Sequence, residues 1–168
     1  MEVPSPDDAI PLGEIVRARG EEFYEQWARE WSSFDLRYVG DNRPQDERDS
    51  SGRLVAQRLW FRASGQLPDD RLVHNAAFTY ISDLSLLGAS LVPHGMYIGA
   101  PNVQPASLDH VIWFHRPVAV DQWLLYDQTS PSASGARGLS TARVFDEQGV
   151  LVATVAQEGL IRQIAPRS

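Results

Sequence analysis

Asp83 is the only charged side chain between Asn75 and Pro93. It sits inside AAFTYISDLSLLGASL, Ala76 to Leu91, which is otherwise apolar, small or uncharged polar. Burying an ionised carboxylate without partners costs several kcal/mol, so Asp83 must be paired, exposed or put to use. A second polar outlier lies in VLVATVAQEGLIR. Strand alternation places Leu151, Ala153, Val155 and Gln157 on one face, and Val152, Thr154, Ala156 and Glu158 on the other. If the first set faces the Asp83 helix, Gln157 is an amide at the end of an apolar inner face and can meet the carboxylate across the core. Two readings are open. The pair can satisfy itself and hold the fold, as buried polar groups usually do. Alternatively, the carboxylate can take a proton from a water that the amide holds beside a substrate carbonyl.

Other chemistry finds less support. The 168 residues contain no cysteine, which excludes disulfides, thiolate-bound metals and a cysteine nucleophile. His74, His94, His110 and His115 form no H-E-x-x-H pair and have no acidic cluster beside them, so no metal is expected. No G-x-G-x-x-G or P-loop is present, and no cofactor is expected. SPSASGARG lacks the spacing of a serine-nucleophile elbow and reads as a turn. A net charge of -7, a pI near 5.0 and scattered arginines argue against nucleic acid. The acidic, proline-rich start MEVPSPDDAIPLGEI is not a signal peptide, and no uninterrupted apolar run is long enough to cross a bilayer. A cytoplasmic protein without membrane insertion is expected.

The elements that must position Asp83 and Gln157 follow from periodicity. Residues 1–11 read as a flexible lead-in, and Leu12 to Trp31 as helix, with Gly20 as a break. FDLRYVG and RLVAQRLWFRAS read as strands around a polar loop, DNRPQDERDSSG. Asp69 or Asp70 caps a helix running to about Leu91, where Pro93-His94-Gly95 stops it. MYIGAPNVQPAS reads as a loop, followed by strands at Leu108–Arg116, Trp123–Ser130, Arg137–Asp146 and Val150–Arg162. Trp113, Phe114, Trp123 and Tyr126 on those strands are expected to pack in the core or an interface. Short connections favour antiparallel pairing, and a helix apolar nearly all round belongs in a core. The expected architecture is α+β, one curved antiparallel sheet wrapped around one buried helix.

YISDLSLLGASLVPHG, ASLDHVIWFHRP, WLLYDQTSPSASGARG and GVLVATVAQEGLIR, in that order, resemble the C-terminal half of the acyl-CoA thioesterase II family. The similarity covers roughly Phe34 to Gln163. The resemblance implies a hotdog fold and hydrolysis of fatty acyl-CoA to fatty acid and CoA. It implies a catalytic set of Asp83 on the helix, Ser107 just before the Asp109-His110 strand, and Gln157 in the QEG motif, which together activate a water. Family members usually carry two hotdog domains. Residues 1–31 stand in the place of their interdomain linker, and 32–168 would form a single hotdog thioesterase domain. The missing half implies a homodimer, a higher homo-oligomer or pairing with another hotdog chain. It also keeps a non-catalytic acyl-CoA binder or assembly partner as the alternative. A hotdog hydratase would show Asp and His a few residues apart; here Asp83 and His94 are eleven positions apart. Acyl length depends on how Met96–Val103 folds, and Arg137 and Arg143 are named only as candidates for the CoA phosphates.

Overall fold

The computed structural model describes residues 3–39, 56–100 and 102–164. The polar loop read at 41–52 lies outside them. Eight strands form a single sheet: β1 (Ile10–Pro11), β2 (Phe34–Tyr38), β3 (Ala56–Ala63), β4 (Val103–Ser107), β5 (Val111–Phe114), β6 (Leu124–Ser134), β7 (Arg137–Asp146) and β8 (Leu151–Gln163). The order is β1-β2-β3-β6-β7-β8-β4, and β5 also pairs with β8. Every pairing is antiparallel, as the short connections require.

β8 is the spine. On one side it pairs with β7; on the other, its C-terminal half pairs with β4 and its N-terminal half with β5. Two expectations change here. The end of MYIGAPNVQPAS is a strand, and Pro105 is tolerated in it because β4 lies at the sheet edge. The strand expected at Leu108–Arg116 is shortened to β5, because the Leu108 and Asp109 amides both turn to the Glu158 carbonyl, at 2.9 and 3.4 Å. That kink separates β4 from β5. SPSAS is likewise strand rather than turn: β6 reaches Ser134, and the turn is Gly135–Ala136, both at φ 59°. Positive φ at both central residues suits the right-handed twist of a two-residue hairpin.

The helix α3 (Arg71–Leu86) lies in the curve of the sheet. Asp70 caps it, its carboxylate accepting the Leu72 amide at 2.8 Å. Phe78, Ile81, Ser82, Ser85 and Leu86 are buried at helical spacing and face the inner sides of β3, β6, β7 and β8. Each large apolar member contributes about 1.5–3 kcal/mol through burial. The α-helix ends at Leu86, earlier than expected, and tightens into 3-10 turns at Leu87–Ser90 and Val92–His94, with Gly95 at φ 65° closing the run. A glycine pair seats this tightened segment. Gly138 and Gly159 face each other across β7 and β8. A Cβ on Gly159 would lie 2.5 Å from a Leu87 methyl, and one on Gly138 2.5 Å from Ser90 Oγ.

The opposite face of α3 corrects the expectation of a wholly buried helix. Leu72, Ala76, Thr79, Tyr80 and Asp83 are exposed, with Leu72 at 75% and Tyr80 at 51%. The helical run Arg71–His94 is long and apolar enough to cross a membrane, with a mean hydropathy of 1.2 over its most apolar stretch, yet half of that stretch is buried within the fold. It is apolar all round in composition but covered on one side only.

The N-terminal segment is better packed than a flexible lead-in. Trp60 Nε1 donates to the Pro4 carbonyl at 2.9 Å, and Ala9 joins Val39, Trp60, Trp123 and Leu125 on the outer face of the sheet. Helices α1 (Leu12–Arg17) and α2 (Glu21–Trp31) follow, broken at Gly20 as expected, with that residue at φ 136°. Trp27 and Trp31 stack at 6.0 Å and pack against the core.

Candidate active site

Three elements converge on Asp83. It stands on the uncovered face of α3; Ser107 is the last residue of β4; Gln157 points inward from β8. Ala153, Val155 and Gln157 are each 0% exposed, so the inner face read from alternation holds from Ala153 to Gln157, whereas at the strand's start a bulge between Val144 and Phe145 puts Val152 rather than Leu151 in the core. Ser107 pairs with Gly159, which shares the Gln157 face, so the hydroxyl falls beside the amide. The Gln157 amide nitrogen donates both to Asp83 Oδ1 and to Ser107 Oγ, the latter at 2.8 Å. The Ser107 hydroxyl in turn donates to the same Asp83 oxygen at 3.4 Å. The three residues therefore form one closed set in which the carboxylate accepts twice. Asp83 and Ser107 are exposed while Gln157 is not, so a buried amide holds two groups that solvent can reach.

His110 and Tyr126 surround this set, and sequence reasoning did not assign either of them to it. The Ser82 hydroxyl donates to the Thr79 carbonyl at 3.2 Å, which leaves its oxygen to accept from His110 Nε2, also at 3.2 Å. Burial holds the His110 pKa below its ordinary 6.5, opposed by the charges of Asp83 and Asp109. The Tyr126 hydroxyl donates to the Ser82 carbonyl at 2.9 Å, pinning the helix one residue before Asp83. Burial, with Asp83 adding, pushes the Tyr126 pKa well above its ordinary range. The signal for His110 was its place in the dipeptide directly after Ser107-Leu108; for Tyr126 there was none beyond its inward register. Trp123 and Tyr126 are core residues, whereas Trp113 and Phe114 are 51% and 41% exposed.

The arginines named for the CoA phosphates diverge. Arg143 lies on the outer face of the sheet, bound to Asp127 at 2.7 Å, and cannot reach the inner-face set. Arg137 pairs loosely with Glu158 at 3.6 Å. A cavity of about 520 Å³ lies between α1, α2, the Met96–Gly99 loop and α3, and is lined by Phe23, Trp27, Leu59, Leu84 and Ile98 among others. Leu84 and Gly88 reach it from about 100° or more around the helix from Asp83, so it is a separate compartment on the other flank. The Met96–Gly99 loop forms one wall of this cavity.

Residues 30–160 match the model of the family described as acyl-CoA thioesterase. The chain is 32% identical to acyl-CoA thioesterase 2 of Haemophilus influenzae over 157 residues, which are 93% of this chain and 53% of that one. It is 44% identical to mouse acyl-coenzyme A thioesterase 8 over 107 residues, 63% of this chain and 33% of that one. Among solved structures, an acyl-CoA thioesterase II from Mycobacterium marinum superposes with a TM-score of 0.74 at 38% identity, covering 99% of this chain and 57% of that one. A protein from Alicyclobacillus acidocaldarius with a hotdog fold superposes at 0.66 and 17% identity, covering 98% and 55%, and shares the fold alone. The chain thus spans about half or less of the length of these curated relatives. The sheet that holds β8 against α3 is a hotdog, and the chain belongs to the acyl-CoA thioesterase family.

Proposed function

We propose that this chain is an acyl-CoA thioester hydrolase whose water is activated by Asp83, Ser107 and Gln157. One observation carries the reading: three residues from α3, β4 and β8 meet in one hydrogen-bonded set that is open to solvent through the carboxylate and the hydroxyl. A pair serving only to satisfy itself has no need of an exposed carboxylate. Asp83 accepts a proton as a bound water attacks the thioester carbonyl carbon. The tetrahedral oxyanion is held by nearby donors, and its collapse expels the CoA sulfur, which leaves as a thiol once it takes the proton. Ser107 and Gln157 keep the carboxylate oriented. In this reading the thioester lies beside Asp83 on the uncovered face of α3, apart from the large cavity. Thiol release from short to long acyl-CoAs tests this. Turnover by the wild type and its loss in Asp83→Asn are expected; no hydrolysis of any substrate by folded protein would overturn it.

That uncovered face also supports pairing with a second hotdog. Leu72 and Tyr80 expose apolar surface on α3, and beside the open edge of β5 Phe114 meets Phe78 on the inner side of the sheet while Val111 and Trp113 stand exposed on its outer side. We infer a homodimer, or assembly with another hotdog chain, that lays a second helix or strand against them. An assembly partner without activity is the second reading, and the same thiol-release assay separates the two. A cytoplasmic setting remains part of the proposal.

A further inference from the structure

Among the described residues, three side-chain atoms are fully buried without a hydrogen-bond partner: Gln128 Oε1, Ser140 Oγ and Gln157 Oε1. They are not scattered. Ser140 on β7 is the register partner of Gln157 on β8. Gln128 on β6 stands opposite Ala142, one inward position along β7 from Ser140. All three residues are 0% exposed. Directly opposed side chains on one face of an antiparallel pair have Cβ atoms about 4.5–5.5 Å apart, within reach of one hydrogen bond or one bridging water. A buried water characteristically takes about three hydrogen bonds from such groups.

The Gln157 amide has one engaged end. Its nitrogen donates to Asp83 and Ser107, while its oxygen has no partner. Turned by half a rotation, the amide would set its oxygen against the carboxylate and lose both donations. Holding the useful orientation calls for a donor at the oxygen end. Along β7, the other inward positions around Ser140 are Gly138, Ala142 and Val144, none with a polar side chain, so a hydroxyl here is out of place unless it is used.

We propose that Ser140 is a positioning residue: its hydroxyl holds Gln157 Oε1 through one buried water that Gln128 Oε1 also reaches, and so fixes the amide that holds Asp83 and Ser107. This rests on the proposed role of that set. Ser140 touches neither substrate nor water nucleophile; it acts through Gln157.

The test compares wild type, Ser140→Ala, Ser140→Thr, Gln157→Ala and the Ser140→Ala/Gln157→Ala double variant. Ser140→Ala is expected to lower kcat by about tenfold or more with KM little changed, because a misplaced positioning group costs rate rather than binding. Ser140→Thr keeps the hydroxyl and restores most of that rate. In the Gln157→Ala background, Ser140→Ala costs nothing further, the coupling expected of residues acting as one unit. An equal loss in both backgrounds, or no loss in either, overturns the proposal. A second readout needs no turnover. In nitrogen-15-labelled protein, the Gln157 side-chain NH2 signals, assigned by their disappearance in Gln157→Ala, should be sharp and slow to exchange in wild type and broadened in Ser140→Ala. Signals that respond in a protein that hydrolyses no acyl-CoA would sink the hydrolase reading and leave the positioning intact. Signals that do not respond in an active enzyme would sink the positioning alone.

Discussion

The two faces of α3 have nearly the same chemistry and opposite fates. Toward the sheet, Phe78, Ile81 and Leu86 are at most 1% exposed, packed against β-strand side chains on three sides. Away from it, Leu72 and Tyr80 are at least half exposed, and the carboxylate of Asp83 sits among them. The inward face is held by neighbours already in the chain. The outward face is held more lightly, by its own helix, by the links from Asp83 to Ser107 and Gln157, and by Tyr80, which stacks on Phe34 at 6.0 Å and donates to the Glu30 carbonyl at 3.4 Å. Stability therefore resides on one side of the helix, and the proposed chemistry, with the proposed surface for a partner, on the other.

Substitutions on the two faces should separate these roles. On the open face, Asp83→Asn should lower the thioester hydrolysis rate by about 10²–10⁴-fold, the usual worth of a general base, as read by thiol release. Asn keeps an oxygen for the Gln157 amide, so unfolding free energy should fall by no more than about 0.5–1.5 kcal/mol, the net worth of one hydrogen bond. A large stability loss would mean that Asp83 belongs to the inward face after all. On the buried face, Phe78→Ala should destabilise by about 3–5 kcal/mol in denaturant titration. Gly159→Ala, which drives a methyl into Leu87, should cost about 1–3 kcal/mol. Leu72→Glu should do the reverse of Phe78→Ala: fold stability per chain within about 0.5 kcal/mol of wild type, but a shift toward monomer in sedimentation velocity.

The smallest effect concerns His110, which lies between the faces. Its folded-state pKa is held below the ordinary 6.5, so the unfolded chain binds more protons as pH falls through that value. Its contribution is fully present above the unfolded pKa and is lost as pH falls through 6.5 and on through the lower folded-state value. Thermal melts across that range should slope less steeply in His110→Gln. An unchanged slope would place the pH sensitivity elsewhere.

Much of this division could be read before the structure. Alternation along Leu151–Gln163 put Gln157 on the inner face, and the single charge in Ala76–Leu91 singled out Asp83. Periodicity could not say which side of α3 would be covered, because Ala76, Thr79 and Tyr80 are no more polar than the residues that are buried. Composition reports what a face can tolerate; only the sheet decides which face it takes. Ser107 was legible only through family resemblance, since nothing in VQPAS marks a strand end beside a carboxylate. The kink at Leu108–Asp109 that ends β4 depends on two amides sharing the Glu158 carbonyl, a long-range pairing that local pattern does not encode. Ser140 was hidden for a related reason. Its meaning lies in its register opposite Gln157, and register between strands separated by a hairpin is set by the turn and a bulge as much as by hydrophobic pattern.

The placement of β8 has a further consequence, for how the chain comes into being. Its partners β4, β5 and β7 all precede it in the sequence, and it carries Gln157. As the polypeptide leaves the ribosome, α3 and the edges of three strands must wait, unpaired, for the spine that joins them. At about 5–20 residues per second, the stretch from Leu87 to Gln163 keeps apolar surface waiting for several seconds or more. The acid–amide pair is then closed by one of the last events of folding, so a nascent chain interrupted before β8 would expose sticky edges without any nascent activity. Such a protein is more exposed to aggregation while it is being made than once it is folded.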